Sequence, residues 1–211
     1  MYVPLEYSKT NFNSTTMLKH LFLILVLAGS YYLWDQRPIK HGVGITAPDA
    51  PVVERGFQLS EHNKKHYTLE PKFRLNTTAR VISNKRYWFD EKSELAPVDF
   101  VLGWGDLSDE RVLDQVKTPI SRRDFKIDVI RLPMTFSEIR DNLLYMHAIP
   151  ANDSVADQLK SIKTGHIISV RGYIVDVHDR ADVLWTSSRQ GKKAKLDNAQ
   201  YVLIESLDVL D

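Results

Sequence analysis

A run without a single charge, residues 21–34, constrains this chain more than any other feature of its sequence. As an α-helix these residues rise about 21 Å, against a bilayer hydrocarbon core of about 30 Å. Residues 21–27 are all large and apolar, and they leave no polar face that a soluble helix would turn toward water. The run therefore predicts a segment held in a membrane, with the rest of the chain on one side of it.

Two membrane signals fit this segment. A transmembrane signal anchor at 21–34 has Lys19 at one interface and the aromatic residues within 31–34 at the other, which extends its effective length. A cleaved signal peptide has Lys19 at its basic end and the small residues 28–30 as its cleavage site. We predict the anchor, behind an N-terminal tail of residues 1–20.

The charges beside the segment do not decide its orientation, since Lys9 and Lys19 precede it while Arg37 and Lys40 follow it. A single N-terminal apolar segment with a short leader normally exports the chain behind it. We therefore expect the bulk of the protein outside the cytoplasm. Met17 would give such a signal a more typical start.

The composition excludes several functions. Lys and Arg number 28 against 27 Asp and Glu, so no overall electric field attracts nucleic acid or an acidic partner. The chain has no cysteine, which excludes disulfides, thiolate nucleophiles and cysteine-ligated zinc. We expect no cofactor and no metal site.

Behind the anchor, residues 35–56 predict an extended linker that holds a domain off the membrane, because proline and glycine interrupt any regular period there. A globular domain then occupies 57–211, with a β-rich C-terminal part at 163–211. Near its start, His62 and His66 would share one face of a helix and could bind a metal. An exposed polar turn explains the two histidines better, since no carboxylate motif completes such a site.

The first β region is predicted at residues 69–89. Apolar and small residues alternate with polar ones between 73 and 81, which indicates a half-buried strand whose basic outer face includes Arg80. Residues 98–102 then predict a short buried run. The glycines on both sides of Trp104 let the chain bend and turn that indole inward.

Two helices are predicted in the middle of the chain. The first is capped by Ser108. The second begins at a capping box formed by Thr135 and Glu138 and ends at Pro150, which places His147 near its C-terminus. The apolar face of this second helix would consist of Ile139, Leu143, Met146 and Ile149.

The C-terminal part predicts a short helix followed by a curled sheet. Asp153 or Ser154 caps the helix at 155–162. Along the strand at 166–178 the buried side switches at Gly172, which predicts a β-bulge, and bulges let small sheets curl. Two further strands are expected at 183–186 and 201–204. The whole chain is therefore predicted as α+β: a membrane helix, a linker, and a mixed sheet with a small OB-like or SH3-like C-terminal unit.

The sequence GWG at 103–105, followed by SDE at 108–110, is the most specific of several segments shared with a known group. Others are RPIKHGVGITAPDAPV, ARVISNKRYWFD, MHAIPAN, GHIISVRGYIVDV and WTSS. In these segments the chain resembles a family of bacterial single-pass membrane proteins without an assigned activity, over most of residues 36–205. The resemblance implies a bacterial envelope protein, which we expect in the inner membrane with its domain in the periplasm, and it carries over no catalytic residue.

Candidate site residues are few. The catalytic candidates are His147 together with a carboxylate of the acidic segment 106–114, Asp106 or Asp109. Aromatic and basic side chains offer a binding surface instead. These binding candidates are Trp104, Trp185, Arg189, Lys192 and Lys193.

We expect a non-enzymatic accessory or adaptor protein. It would contact the membrane through 21–34 and another envelope protein through its curled C-terminal sheet. One alternative is an envelope hydrolase that uses His147. Another is a glycan-binding or nucleic-acid-binding module with Trp88 or Trp185 exposed, although the balanced charge makes nucleic acid an unexpected partner.

Overall fold

The computed structural model describes residues 14–35, 37–55, 60–179, 182–187 and 199–210. The chain divides into two compact units, Met1–Arg37 and Pro38–Asp211.

The described part of the first unit, residues 14–35 and 37, contains the helix α1 (Ser14–Asp35). Its stretch Met17–Trp34 is long and apolar enough to cross a membrane, and none of these residues is buried. Past its C-terminal end, the guanidinium of Arg37 lies 4.2 Å from the ring centre of Trp34. The predicted apolar N-terminal helix is confirmed, and it extends several residues beyond the uncharged run at its N-terminal side.

In its described residues, the second unit contains twelve strands, three α-helices and two short 3-10 helices. The strands are β1 (Val52–Arg55), β2 (His62–Lys64), β3 (Tyr67–Arg86), β4 (Val98–Gly103), β5 (Val116–Lys117), β6 (Ile120–Ser121), β7 (Asp124–Phe125), β8 (Asp128–Val129), β9 (Leu143–Pro150), β10 (Ile167–Asp179), β11 (Asp182–Trp185) and β12 (Gln200–Val209). The helices are α2 (Glu110–Leu113), α3 (Phe136–Asp141) and α4 (Asp153–Ser161), with 3-10 turns at Glu91–Glu94 and Gly105–Ser108.

Five strands close into a ring. The order is β3, β4, β9, β12, β10 and back to β3, with β9 and β12 parallel and the other pairs antiparallel. Strands β1 and β2 extend the sheet from β3, and β11 extends it from β10. The main hydrophobic cluster lies inside the ring, where Phe100, Met146 and Val202 are fully buried. The predicted α+β class and mixed sheet are confirmed.

The long strand β3 confirms the alternation predicted from the sequence. Leu75, Ala79 and Val81 are fully buried, and Thr77 between them is buried as well. Arg80 was expected on a solvated face, and this expectation was wrong. Its side chain is only 2% exposed. It donates to the Ser108 carbonyl at 2.9 Å and pairs with Glu110, and these two contacts compensate for the burial of its charge.

The helix predicted from Thr135 to Pro150 is only half correct. The capping box of Thr135 and Glu138 is present, but α3 ends at Asp141 and the rest is the strand β9. All eight residues of β9 are buried, so both of its faces are largely apolar. The apolar residues therefore include positions with helical spacing, which predict the apolar face of a helix. A strand covered on both faces carries no clear alternation by which sequence analysis would recognise it.

The segment at 35–56 is not an extended linker. The Ile39 amide donates to the Thr164 carbonyl at 2.9 Å, and the Gly105 amide donates to the Ala47 carbonyl at 2.8 Å. Ala47 is buried, and β1 pairs with β3. Proline and glycine therefore shape a segment that packs on the domain from Pro38 onward.

Several local predictions need correction. The cap of α2 is Asp109, not Ser108, whose hydroxyl instead accepts from the amides of Thr46 and Ala47. The cap of α4 is Asn152. The hairpin formed by β2 and β3 contains His62 and His66, so no helix stacks the two imidazoles.

The C-terminal strands belong to the ring and do not form a small sheet of their own. The predicted bulge is confirmed, since the pairing of β10 with β12 shifts register between Arg171 and Gly172. The same strand pairs with β3 along thirteen positions, from Ile167 to Asp179. The predicted partner strand and closing strand are present as β11 and β12. An isolated OB-like or SH3-like unit at 163–211 is not confirmed.

Replacing Gly172 by alanine should destabilise the ring, because a Cβ there would overlap the Leu203 carbonyl oxygen on β12. We expect a loss of about 2 to 4 kcal/mol in the free energy of unfolding, measured by urea denaturation. The neighbouring variant Ser206→Ala, which removes only a hydroxyl bonded to Arg171, should cost less than about 1 kcal/mol. Equal effects of the two changes would show that β10 and β12 do not approach so closely.

Candidate functional site

A row of polar and aromatic side chains crosses three neighbouring strands on the outside of the ring. The strand register places Asp99 of β4 beside His147 of β9, and His147 beside Tyr201 of β12. Because successive residues of a strand alternate between faces, this row points away from the main core. Their neighbours Val98, Phe100, Met146, Ala148 and Val202 belong to the core cluster inside the ring.

The Asp99 carboxylate is the centre of this row. Its side chain is fully buried, and it accepts three hydrogen bonds. The Tyr145 hydroxyl donates at 2.9 Å, a guanidinium nitrogen of Arg123 donates at 2.9 Å, and His147 Nδ1 lies at 2.7 Å. Since an ionised carboxylate only accepts, the Nδ1 hydrogen donates to it and the orientation of the imidazole is set.

Arg123 connects this carboxylate to a second one. Its guanidinium makes two bonds to Asp90, at 2.7 and 2.8 Å, and donates to the Ala96 carbonyl at 2.7 Å. It also lies 3.7 Å from the ring centre of Tyr87. One arginine thus holds both ends of the segment between β3 and β4, and we call Asp90, Asp99, Arg123, Tyr145 and His147 the Asp99 cluster.

The backbone that presents Arg123 is unusual. Arg122 and Arg123 form the two-residue turn between β6 and β7, with φ of +53° and +62°. A turn of this type favours asparagine and glycine, since side chains crowd the backbone at positive φ. The three-way binding of the guanidinium offsets that strain.

The electrostatics follow from burial around one negative charge. Burial raises the pKa of Tyr145 and Tyr87 well above the ordinary value, and the nearby Asp99 carboxylate raises both further. Burial, with Asp99 again contributing, raises the pKa of Tyr201 to about 12. Hydrogen bonding to Arg123 holds the pKa of Asp90 below its ordinary value. These tyrosines therefore stay neutral at physiological pH and can act as hydrogen-bond donors.

An aromatic stack continues the row toward the surface. The rings of His147 and Tyr201 are centred 4.6 Å apart, and Tyr201 stacks on Trp185 at 5.2 Å. The Lys92 ammonium lies 4.5 Å from the Trp185 ring centre. The segment between β3 and β4 therefore meets β11 at the edge of the stack.

The structure separates the residues that the catalytic prediction combined. His147 is 3% exposed and binds Asp99, which lies outside the acidic segment 106–114. Asp109 instead caps α2 and pairs with Arg111, and Asp106 is exposed. Neither is brought to His147, because β9 turns the imidazole toward β4 rather than toward α2.

The predicted binding residues are likewise dispersed. Trp104 is 4% exposed and packs in the main core, so it presents no binding surface. Trp185 is half-buried in the aromatic stack. Arg189, Lys192 and Lys193 lie outside the described residues.

Sequence reasoning missed Asp99, Arg123 and Tyr145. One signal was present: Asp99 is the single charge in an otherwise apolar strand, and a buried charge requires a partner. The identity of that partner could not be read from the sequence, since Arg123 lies 24 residues away and His147 lies 48 residues away.

Access to the Asp99 cluster is restricted. Two surface grooves, of about 380 and 390 Å³, are lined by other residues and include neither Asp99 nor His147. Within the described part of the chain, no group of three or more His, Asp or Glu side chains is arranged to hold a metal ion. Within the cluster, Asp99 and His147 are buried, whereas Asp90 lies exposed at its edge.

Comparisons with protein-family models, curated proteins and solved structures find no match for this chain.

Removing the Asp99 carboxylate should strongly destabilise the domain, because Arg123 would keep a largely buried charge with one partner fewer. We expect Asp99→Ala to lower the free energy of unfolding by about 3 to 5 kcal/mol, and Asp99→Asn to lower it less. The matched surface variant is Asp157→Asn, whose carboxylate is 77% exposed and paired with Lys160. It should unfold at the same denaturant concentration as the parent protein, and a similar effect of Asp99→Asn and Asp157→Asn would contradict the network.

Alkaline pH should destabilise the domain through its buried tyrosines. Their pKa values are raised on folding, so their contribution is complete below pH about 10 and is lost as pH rises toward 12. Tyr201→Phe should remove about 2 to 3 kcal/mol of this alkaline loss, measured as the difference in unfolding free energy between pH 9 and pH 12. The same pH 9 to pH 12 difference in the parent protein and in Tyr201→Phe would contradict this assignment.

Proposed function

We propose that this protein is a non-catalytic binding module, anchored by residues 21–34 in a bacterial inner membrane and displaying its domain in the periplasm to another envelope protein. The apolar and unburied α1 supports the anchor. The resemblance of segments such as GWG at 103–105 to bacterial single-pass membrane proteins is the basis for proposing an envelope location.

We further propose that the five-stranded ring is a barrel of the OB type. The support is its strand order: numbered along the chain, the five strands follow one another as 1-2-3-5-4 and return to 1. The first of them, β3, is long and shifts register where it joins β4. In OB barrels the loops between strands one and two and between strands four and five flank the binding face. Here the first of these is the segment 87–97, and the second is the connection from β10 to β12, whose described part includes β11.

The observation that carries the proposal is a pair of exposed aromatic residues on the first of these loops. Trp88 is 68% exposed and Phe89 is 100% exposed. They lie between Tyr87 and Asp90, both of which are held by Arg123. The loop is thus fixed before any partner arrives, which reduces the entropy lost on binding. Exposed aromatic residues on a preformed loop are the side chains that most often dominate protein interfaces.

The second loop begins beside the first. The Lys92 ammonium, in the same loop as Trp88 and Phe89, lies 4.5 Å from the Trp185 ring centre. A partner that covered this loop would meet the positive charge of Lys92, which an acidic side chain on the partner would complement.

The alternative functions have less support. A hydrolase using His147 and Asp99 would need its substrate to reach an imidazole that is 3% exposed. A nucleic-acid-binding surface would have to accommodate the acidic residues Asp90 and Glu94 beside the exposed aromatic pair.

The absence of native cysteine permits a single experiment on both location and binding. Phe89→Cys, in the otherwise native chain, is treated in spheroplasts with a membrane-impermeant maleimide that carries a photoreactive group. We expect labelling without lysis, followed by light-dependent cross-linking to one protein partner. The matched control is Phe136→Cys, which starts from a phenylalanine that is 52% exposed on α3.

The two parts of the proposal fail separately. Labelling of both cysteines only after lysis would place the domain on the cytoplasmic side. Labelling in spheroplasts with no protein adduct from position 89, or with the same adducts from positions 89 and 136, would refute the binding surface.

A further inference from the structure

We infer that the loop of residues 42–45 rests on the lipid surface, where Val43 and Ile45 enter the headgroup layer. This inference rests on the proposed membrane anchor and deepens it. It assigns part of the folded domain, in addition to the helix, to the membrane interface.

The chain that connects α1 to the folded domain is short. Helix α1 ends at Asp35 and the second unit begins at Pro38. Three steps of extended chain span at most about 11 Å, and the headgroup layer on each side of a bilayer is roughly 5 to 8 Å thick. If α1 crosses the membrane, the domain therefore begins at or within about one headgroup thickness of the lipid surface.

The residues after Pro38 cannot lengthen the connection to the membrane, because they are hydrogen-bonded to the domain. The Ile39 amide donates to the Thr164 carbonyl at 2.9 Å, and His41 Nε2 lies 2.8 Å from the Gly165 carbonyl oxygen. Gly165, at φ +100°, allows this approach, since a Cβ there would overlap the backbone of Ile39. The segment that leaves the membrane is thus attached to the domain from its first residues.

The same segment is attached again beyond the loop. The Thr46 hydroxyl donates to the Ser108 carbonyl at 3.1 Å, and the Thr46 amide donates to the Ser108 hydroxyl at 3.1 Å. Ala47 is buried. Residues 42–45 therefore form a short loop fixed at both ends, and the domain determines where it points.

Two apolar side chains of this loop are exposed. Val43 is 71% exposed and Ile45 is 50% exposed, although β-branched apolar residues are usually buried. Gly42 and Gly44 adopt φ of +82° and +135°, values that residues with a side chain rarely adopt. Lys40 is exposed just before them.

Apolar side chains beside a lysine are the combination that binds the interface of bilayers with anionic headgroups. We therefore assign phospholipid as the partner of this loop. The exposed pair Trp88 and Phe89 is assigned to the protein partner, since it lies in a loop with acidic residues that anionic lipid would repel.

The test uses the full chain, reconstituted in vesicles of phosphatidylcholine and phosphatidylglycerol. Single cysteines at Val43→Cys and Ile45→Cys carry an environment-sensitive fluorophore, and lipids spin-labelled near the headgroup quench it. We expect quenching at both positions to exceed that at Ile130→Cys by at least about twofold. Ile130 is a suitable control, because it is apolar and 72% exposed.

A fourth variant, Leu27→Cys in α1, separates the inference from the anchor on which it rests. Quenching at position 27 by lipids spin-labelled deep in the acyl chain, with positions 43 and 45 no more quenched than 130, would overturn the loop contact and leave the anchor intact. An unquenched position 27 would overturn the anchor itself and the loop contact with it.

Discussion

The ring closes because one strand, β3, is hydrogen-bonded along both of its edges. Its twenty residues span about 66 Å as a strand. It therefore pairs with β10 on one edge along 67–80 and with β4 on the other edge along 80–86. The two pairings overlap at Arg80. Its buried guanidinium binds Ser108 and Glu110, so the segment after β4 is fastened to the point where the strand changes partners.

The Asp99 cluster is a consequence of that closure. Once β9 lies between β4 and β12, the register brings Asp99, His147 and Tyr201 side by side on the outer face. A carboxylate there costs several kcal/mol of desolvation unless donors surround it, and Arg123 supplies one from a strained turn. The same arginine stiffens the loop that exposes Trp88 and Phe89. Arg123 thus joins the buried network to the loop that exposes Trp88 and Phe89.

The elements that could be predicted are those whose signal is local. The apolar run of α1, the alternation of β3 and the capping box of α3 each depend on residues a few positions apart. The bulge at Gly172 was equally readable, since the buried side switches within one strand. By contrast, β9 was predicted as a helix, because a strand buried on both faces has no alternation. Of the candidate site, His147 and Trp185 were named in advance, while Asp99, the partner of His147, was not.

The sequence by itself determined that this protein has an apolar N-terminal helix and an α+β domain, because hydrophobic period and caps act over one or two turns of chain. Only the tertiary structure decided that residues 38–55 pack on the domain and that Asp99 meets Arg123 and His147. These contacts join residues tens of positions apart, and their pairing depends on strand order and register. Strand order and register cannot be predicted from a local sequence pattern, since both depend on the free energy of the closed ring as a whole.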